Sequence, residues 1–257
     1  MMQHPLQCLC LLLVFLSPCF SAELEQIIDG SITYHQRTLP SSCVAFNSLV
    51  GKQLFAESWN QATSGMEIFF PLMQQFVTQK SPDSCGATTL IMVLNAMDMD
   101  PQRLWKAPWR WFSEDNVRLC GPPSTGPQKT AKIRLGMGFD EFVNLGRCNG
   151  ATVVSHRVPL DFGSEEVDTF RAIVKNITSQ NASTLVVSYF RPIMGQTGSG
   201  HFAPIGGYHA ARDMVLILDV ARFKLPPHWV PLQTLVQAMS IEADPGLSRG
   251  YIQLTAP

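Results

Sequence analysis

Charge is scarce in this chain. It holds 19 Lys and Arg against 20 Asp and Glu, a formal −1, and only 15% of its 257 residues are charged. No run of Lys and Arg breaks that balance, so the basic footprint of a nucleic-acid binder is missing. Internal repeats, low-complexity tracts and glycine-serine linkers are also absent, which excludes a repeat array and favours one continuous domain. No Cys-x-x-Cys pair, His-x-x-x-His pair or His-Glu-x-x-His helix occurs, so a zinc site has no support and no metal ligands are assigned. What remains is apolar: 46% of the residues are hydrophobic, enough for a large core and too many for a disordered polyelectrolyte.

The first apolar stretch, Leu6 to Phe20, is short for a membrane span and reads as a secretory h-region, although its n-region carries only His4. Ser21-Ala22 before Glu23 offers a small-residue cleavage site, so residues 1–22 are expected to be a signal peptide and residues 23–257 an exported domain, periplasmic or secreted. No later segment reaches transmembrane length. Cleavage removes Cys8, Cys10 and Cys19 and leaves Cys43, Cys85, Cys120 and Cys148, too few for a disulfide scaffold of this size. In an oxidising compartment Cys120 with Cys148 is the expected pair.

The stretch from Gln79 to Met97 is the most informative. Turn-forming Pro82, Asp83 and Ser84 lead into Cys85, after which Leu90, Ile91, Val93, Leu94 and Met97 follow helical spacing with no charge before Asp98. Such a helix is buried on most faces, with Cys85 in its first turn. Free N–H groups and the positive dipole end favour a thiolate there. A small core cysteine fits the same position, and the spacing alone does not choose.

A nucleophilic cysteine needs a base, drawn from His35, His156, His201, His209 and His228. His201 follows the glycine-rich Gly195–Gly200 loop and opens the apolar run Phe202 to Tyr208. After a polar break comes Met214 to Val220, which contains Asp219. The two runs predict an antiparallel hairpin. Residue 210, midway between His201 and Asp219, falls in the break, so the two side chains are expected to face one another across the strands at about 4.5–5.5 Å between Cβ atoms. A carboxylate there would fix the imidazole tautomer. A strand-end histidine and a turn aspartate would look the same.

A cysteine opening a buried helix, followed by a β-rich half that supplies His and Asp, is the layout of papain-like cysteine enzymes. It implies an α+β papain-like cysteine protease fold, with a helical N-terminal lobe, an antiparallel-sheet C-terminal lobe and substrate between them. Gln79, six residues before Cys85, suits the upstream oxyanion glutamine, or is a loop glutamine.

The sequence resembles the phytochelatin synthase family, the glutathione γ-glutamylcysteinyltransferases. The resemblance runs through Phe46-Asn-Ser-Leu-Val-Gly-Lys, Gln75-Phe-Val-Thr-Gln79, Ser84-Cys-Gly, Met92-Val-Leu-Asn-Ala96 and Trp105-Lys-Ala-Pro-Trp-Arg-Trp-Phe112. It continues in Gln196 to Tyr208, Asp213 to Lys224 and Pro226-Pro-His-Trp-Val230. It implies that Cys85 is the acylated nucleophile, His201 the general base and acid, Asp219 the orienting carboxylate and Gln79 the oxyanion donor. It further implies that Arg249 binds the γ-glutamyl α-carboxylate, that Gly200 lets the acyl group lie against the backbone, and that Ser188, where some small bacterial members carry asparagine, is a substrate contact. The implied chemistry cleaves the Cys–Gly bond of glutathione through a γ-glutamylcysteinyl thioester. Water then yields γ-glutamylcysteine, and a second glutathione yields a longer peptide. Because the chain stops at Pro257, without the cysteine-rich extension of plant members, hydrolysis is expected to dominate. No tightly bound cofactor is implied; cadmium or zinc would enter as glutathione thiolates, as substrate. A homodimer is left open. The competing readings are an exported thiol- or metal-binding protein without turnover and a cysteine endopeptidase.

Three further segments are read structurally. The tryptophans of Trp105 to Phe112 are expected to pack beneath a loop. Asp98 and Asp100 belong to a solvated turn. Ser164-Glu-Glu-Val167 with Phe170, Val174 and Ile177 reads as an amphipathic surface helix capped at its N-terminus.

Overall fold

A strand that is apolar at every position must be covered on both faces, and the runs around residues 185–190, 202–208 and 214–220 are of that kind. The computed structural model describes residues 33–60, 64–117 and 136–257, so the expected signal peptide and Cys120 lie outside the described residues. Gln36–Pro257 form one compact unit, and of the separate unit Met1–His35 only residues 33–35 are described.

In chain order the elements are β1 (Val44–Ala45), α1 (Leu49–Trp59), α2 (Phe69–Gln74), α3 (Cys85–Ala96), β2 (Leu104–Lys106), β3 (Trp109–Arg110), α4 (Phe139–Cys148), β4 (Thr152–Arg157) and α5 (Ser164–Thr178). There follow β5 (Ser183–Phe190), β6 (Gly200–His209), β7 (Met214–Ile217), β8 (His228–Pro231), α6 (Leu232–Met239), β9 (Glu242–Asp244), β10 (Leu247–Ser248) and β11 (Gly250–Thr255). Seven strands form one sheet in the order β1-β8-β7-β6-β5-β11-β4, and every neighbouring pair is antiparallel. The protein is α+β.

Alternation along the strands divides the core in two. Val186, Phe202, Leu216, Trp229 and Ile252 face α1 to α4, packing with Leu54, Leu72, Leu90 and Phe142. Leu185, Val187, Ala203, Val215 and Ile217 face α5 and α6, packing with Phe170, Val174 and Leu235. The apolar runs are thus explained by a sheet covered on both sides.

Three details depart from the sequence expectation. The β6–β7 hairpin exists, but its register pairs His209 with Met214 and slips by one between Ile205 and Gly207. The pairing sets Leu218 N–H on the Pro204 carbonyl at 3.1 Å, so Asp219 lies diagonal to His201, past the end of β7, not directly opposite it. The α5 helix forms and buries Phe170, Val174 and Ile177, but its N-cap is Gly163, with Ser164 as the first helical residue and no side-chain cap bond. The tryptophans are not packed away: Trp105, Trp109 and Trp111 are exposed on and beside the β2–β3 hairpin, and only Phe112 is buried. Asp98 does sit in an exposed turn, and Asp100 follows it at the surface, where its Oδ1 accepts from the Gln102 N–H at 2.8 Å and its Oδ2 pairs with Arg110 at 2.6 Å. Cys148 is disulfide-bonded, and Cys43 is a free thiol.

The N-terminal helix is set against the sheet at one close approach. Ser48 caps α1, accepting the Gly51 N–H at 3.0 Å, and its hydroxyl donates to the Ala45 carbonyl at 2.7 Å. Gly51 in turn accepts from Trp229 Nε1 of β8 at 3.2 Å. A Cβ on Gly51 would lie 2.1 Å from the Ala45 carbonyl oxygen and 2.6 Å from that of Phe46, both backbone atoms. Helix propensity alone makes Gly→Ala favourable by about 1 kcal/mol. Here the sign is expected to reverse: Gly51→Ala should destabilise the fold by about 1–3 kcal/mol in urea unfolding, and a stabilised variant would contradict the packing.

Candidate active site

Helix α3 opens with Cys85, and its residues Cys85 to Leu94 are all buried. The N-cap, Ser84, makes no side-chain cap bond, so the first N–H groups keep their partial positive charge for the thiol. Thr89, one turn on, shares the face of Cys85, and its hydroxyl donates to the Phe202 carbonyl of β6 at 3.1 Å. That bond lays the cysteine end of α3 against the start of β6, where His201 stands.

His201 Nε2 lies 2.9 Å from Asp219 Oδ1, with the two side chains 4% and 0% exposed. The contact is close, although the Nε2–H is not aligned as a hydrogen bond. Because Nε2 faces the carboxylate, Nδ1 is the nitrogen free to exchange a proton with the thiol. Tyr189, the cross-strand partner of His201 on β5, packs edge-on against the imidazole with ring centres 5.6 Å apart.

Asp219 is satisfied by more than His201. Arg191 Nη2 donates to both carboxylate oxygens, at 3.0 and 2.8 Å, and the Ala221 N–H donates to Oδ1 at 2.9 Å. Burial alone would raise the Asp219 pKa, yet His201 and Arg191 overcome it and hold the carboxyl far below its usual range. Burial would likewise push His201 down, but the Asp219 carboxylate, aided by Cys85, outweighs it and Arg191 and lifts the imidazole above its ordinary value. For Cys85 burial raises the thiol pKa, and attraction to and hydrogen bonding with His201, the Phe202 N–H and Arg191 bring it down, for a net lowering.

The other sequence candidates are placed as follows. Gln79 is buried just upstream, its N–H donating to the Val220 carbonyl beside Asp219 at 3.0 Å. Its Nε2 donates to the Ser81 carbonyl at 2.7 Å, and its Oε1 is buried without a partner among the described residues. Arg249 Nη1 is held by the carbonyls of Ile241 and Glu242, at 2.9 and 2.7 Å. The opposite edge of the guanidinium faces Gly200, where a Cβ would stand 3.3 Å from Nη2 and 3.4 Å from Nε. Ser188 is buried on β5, paired with Phe202 on one side and Gly250 on the other. Cys85, His201 and Asp219 are therefore brought together, Gly200 and Arg249 adjoin His201, and Gln79 flanks Asp219 through the backbone. The residue missed by sequence reasoning is Arg191. Its one local signal is a charge ending the apolar strand β5 directly before Pro192, where a buried cation demands an acid. Among the described residues no group of three His, Cys, Asp or Glu could hold a metal ion, and no helix is long and apolar enough to cross a membrane.

The family model described as phytochelatin synthase matches residues 34–251. Glutathione gamma-glutamylcysteinyltransferase 1 of Arabidopsis thaliana is 44% identical over 225 residues, 87% of this chain and 44% of that protein. Glutathione gamma-glutamylcysteinyltransferase 3 of Lotus japonicus is 46% identical over 226 residues, with 87% and 44% covered. The glutathione gamma-glutamylcysteinyltransferase of Schizosaccharomyces pombe is 37% identical over 223 residues, with 86% and 51% covered. The chain spans about half the length of these curated relatives.

The two described free thiols are shifted in opposite directions. Burial pushes Cys43 up against the hydrogen bonds of Ser42 and Gln196, whereas Cys85 is lowered. Iodoacetamide labelling followed by peptide mapping should therefore modify Cys85 with a midpoint below the ordinary thiol value of about 8.5, before Cys43 reacts. Since a protonated His201 favours the thiolate, His201→Ala should move the Cys85 midpoint upward; an unchanged midpoint would break the assigned pairing.

Proposed function

Because the chain belongs to the phytochelatin synthase family, we propose that it acts on glutathione, cleaving the Cys–Gly peptide bond with Cys85 as nucleophile in a papain-like arrangement. The observation that carries this reading is a buried thiol with lowered pKa at a helix start, beside an imidazole held by a buried carboxylate.

Cys85 Sγ attacks the carbonyl carbon of the Cys–Gly bond while His201 Nδ1 takes the thiol proton. The same proton passes to the glycine nitrogen as that bond breaks, leaving γ-glutamylcysteine as a thioester on Cys85. In the second half His201 deprotonates the acceptor, which attacks the thioester, and sulfur leaves as thiolate. A water acceptor gives γ-glutamylcysteine; the amine of a second glutathione gives the extended peptide. Water far exceeds any amine acceptor, and on that ground hydrolysis is the major outcome. Asp219 keeps Nε2 occupied and favours the imidazolium through which both steps pass. Gln79 is the oxyanion donor: Nε2 carries two N–H bonds, and the Ser81 carbonyl engages one. The Nε/Nη2 edge of Arg249, anchored from behind by two carbonyls and open toward Gly200, suits the γ-glutamyl α-carboxylate. Cadmium or zinc would enter as glutathione thiolates, as part of the substrate.

Mass spectrometry of products from glutathione, with and without cadmium, tests the reading. Glycine and γ-glutamylcysteine should exceed longer thiol peptides, and Cys85→Ser should abolish both. Arg249→Met should raise KM about tenfold or more, the scale of a lost charge-assisted hydrogen bond, with kcat less affected. Glycine release by Cys85→Ser, or none from the intact protein, would sink the proposal.

A further inference from the structure

Behind the triad the structure holds a second row of buried polar groups. The turn Arg191–Met194 ends at Gly195, whose φ of 70° is left-handed, and the chain reverses so that the Gln196 N–H returns to the Arg191 carbonyl at 3.1 Å. The Gln196 side chain is thereby folded onto the Arg191 guanidinium, where Oε1 accepts from Nη1 at 2.7 Å. Its Nε2 lies 2.8 Å from His228 Nε2 on β8, and His228 Nδ1 lies 2.8 Å from the Pro226 carbonyl. Arg191, Gln196 and His228 are all buried.

The two ends of this row fix the polarity of everything between. A carbonyl only accepts, so His228 carries its proton on Nδ1 and presents Nε2 as a lone pair. A guanidinium only donates, so Gln196 must turn Oε1 toward Arg191 and Nε2 toward His228. Only one arrangement satisfies every member, and it requires neutral His228. Burial does hold the imidazole below its ordinary pKa, against the pull of Asp219.

We propose that Gln196, locked by neutral His228, is a positioning residue that holds Arg191 on Asp219 and so sets the orientation and protonation of the His201–Cys85 pair. The inference rests on reading Cys85, His201 and Asp219 as the catalytic triad. Arg191 is flanked on one side by the carboxylate and on the other by Gln196 Oε1, so Nη2 is aimed at Asp219 only while Nη1 is engaged. The titratable groups around the row are Cys43 before β1, Cys85 of α3, Tyr189 of β5, His201 of β6, Asp219 after β7 and Lys224 before β8. Gln196 Nε2 also approaches Cys43 Sγ at 3.9 Å, a weak contact beside the other two.

The test compares wild type, Gln196→Met and Gln196→Glu in two assays: the pH dependence of Cys85 alkylation, and the kcat and KM of glycine release from glutathione. Methionine keeps the length of the side chain and removes both polar ends. In Gln196→Met the alkylation midpoint should move by roughly one pH unit and kcat should fall about tenfold or more, while KM changes little; the thermal midpoint should fall as well, because Arg191 Nη1 and His228 Nε2 each lose a buried partner. Glutamate keeps the acceptor for Arg191 but can be satisfied by His228 only when that imidazole is protonated. Gln196→Glu should therefore recover activity on the acid side and lose it as pH rises, a shift that mere loss of packing would not produce. Wild-type midpoint and kcat retained in Gln196→Met, or equal losses at all pH values in Gln196→Glu, would overturn the proposal. Should Gln196→Met fail to fold, the acid-shifted profile of Gln196→Glu decides alone. A wild-type Cys85 that titrates as an ordinary thiol would instead overturn the triad reading, and this inference with it.

Discussion

One constraint organises the centre of this protein: a carboxylate, Asp219, is withdrawn completely from water. An ionised carboxylate in that position is prohibitively unfavourable unless each oxygen is met by donors and a counter-charge. Arg191 supplies the charge and touches both oxygens, the Ala221 N–H adds a third hydrogen bond, and His201 stands at ion-pair distance. Because Arg191 already neutralises Asp219, a proton taken up by His201 would be balanced by a thiolate on Cys85, the direction in which both groups are shifted. Truncating Arg191 would strip the buried carboxylate of its permanent counter-charge.

The sheet is what lets such a cluster be assembled from distant parts of the chain. Tyr189 and His201 are cross-strand partners and share the face turned toward α5 and α6, while Phe202 and α3 belong to the other face. The cysteine thus arrives from one side of the sheet and the histidine and aspartate from the other, meeting at the strand ends. Their separation depends on how α3 sits against β6. Residue 202 fixes that from its backbone: its carbonyl takes the Thr89 hydroxyl and its N–H favours the Cys85 thiolate. Opposite, the Gln79 N–H on the Val220 carbonyl ties the segment before α3 to the loop carrying Asp219.

Much of this was legible because it is local. The buried helix opening with Cys85, the hairpin turning near residue 210 and the α+β class follow from periodicity and from turn residues within short windows. The register was less legible: a slip near Gly206 and a carboxylate beyond the strand end convert the expected direct pair into a diagonal one, and bulges leave little trace in composition. Ser164 looked like a cap because serine favours that position, yet glycine before it adopted the extended conformation and took the role. The tryptophans of β2 and β3 ran against the expectation that clustered aromatics pack inward, which is a tendency of side chains and says nothing of where a hairpin projects. Arg191 with Gln196 and His228 could not be paired in advance. Their contacts to one another and to Asp219 join separate elements and depend on the fold as a whole.

The two free cysteines described show why residue type alone carries so little information about reactivity. Cys43 and Cys85 are both buried, and burial raises both thiols. At Cys43 the opposing groups are neutral hydrogen-bonding side chains, Ser42 and Gln196, and burial prevails. At Cys85 they include the imidazolium of His201, the guanidinium of Arg191 and a backbone N–H, and burial is overcome. In a low-dielectric interior a formal charge counts for far more than a neutral donor. The same burial that silences one thiol therefore strengthens the field that activates the other, and the difference between them is the charge that Asp219 allows to be stored nearby.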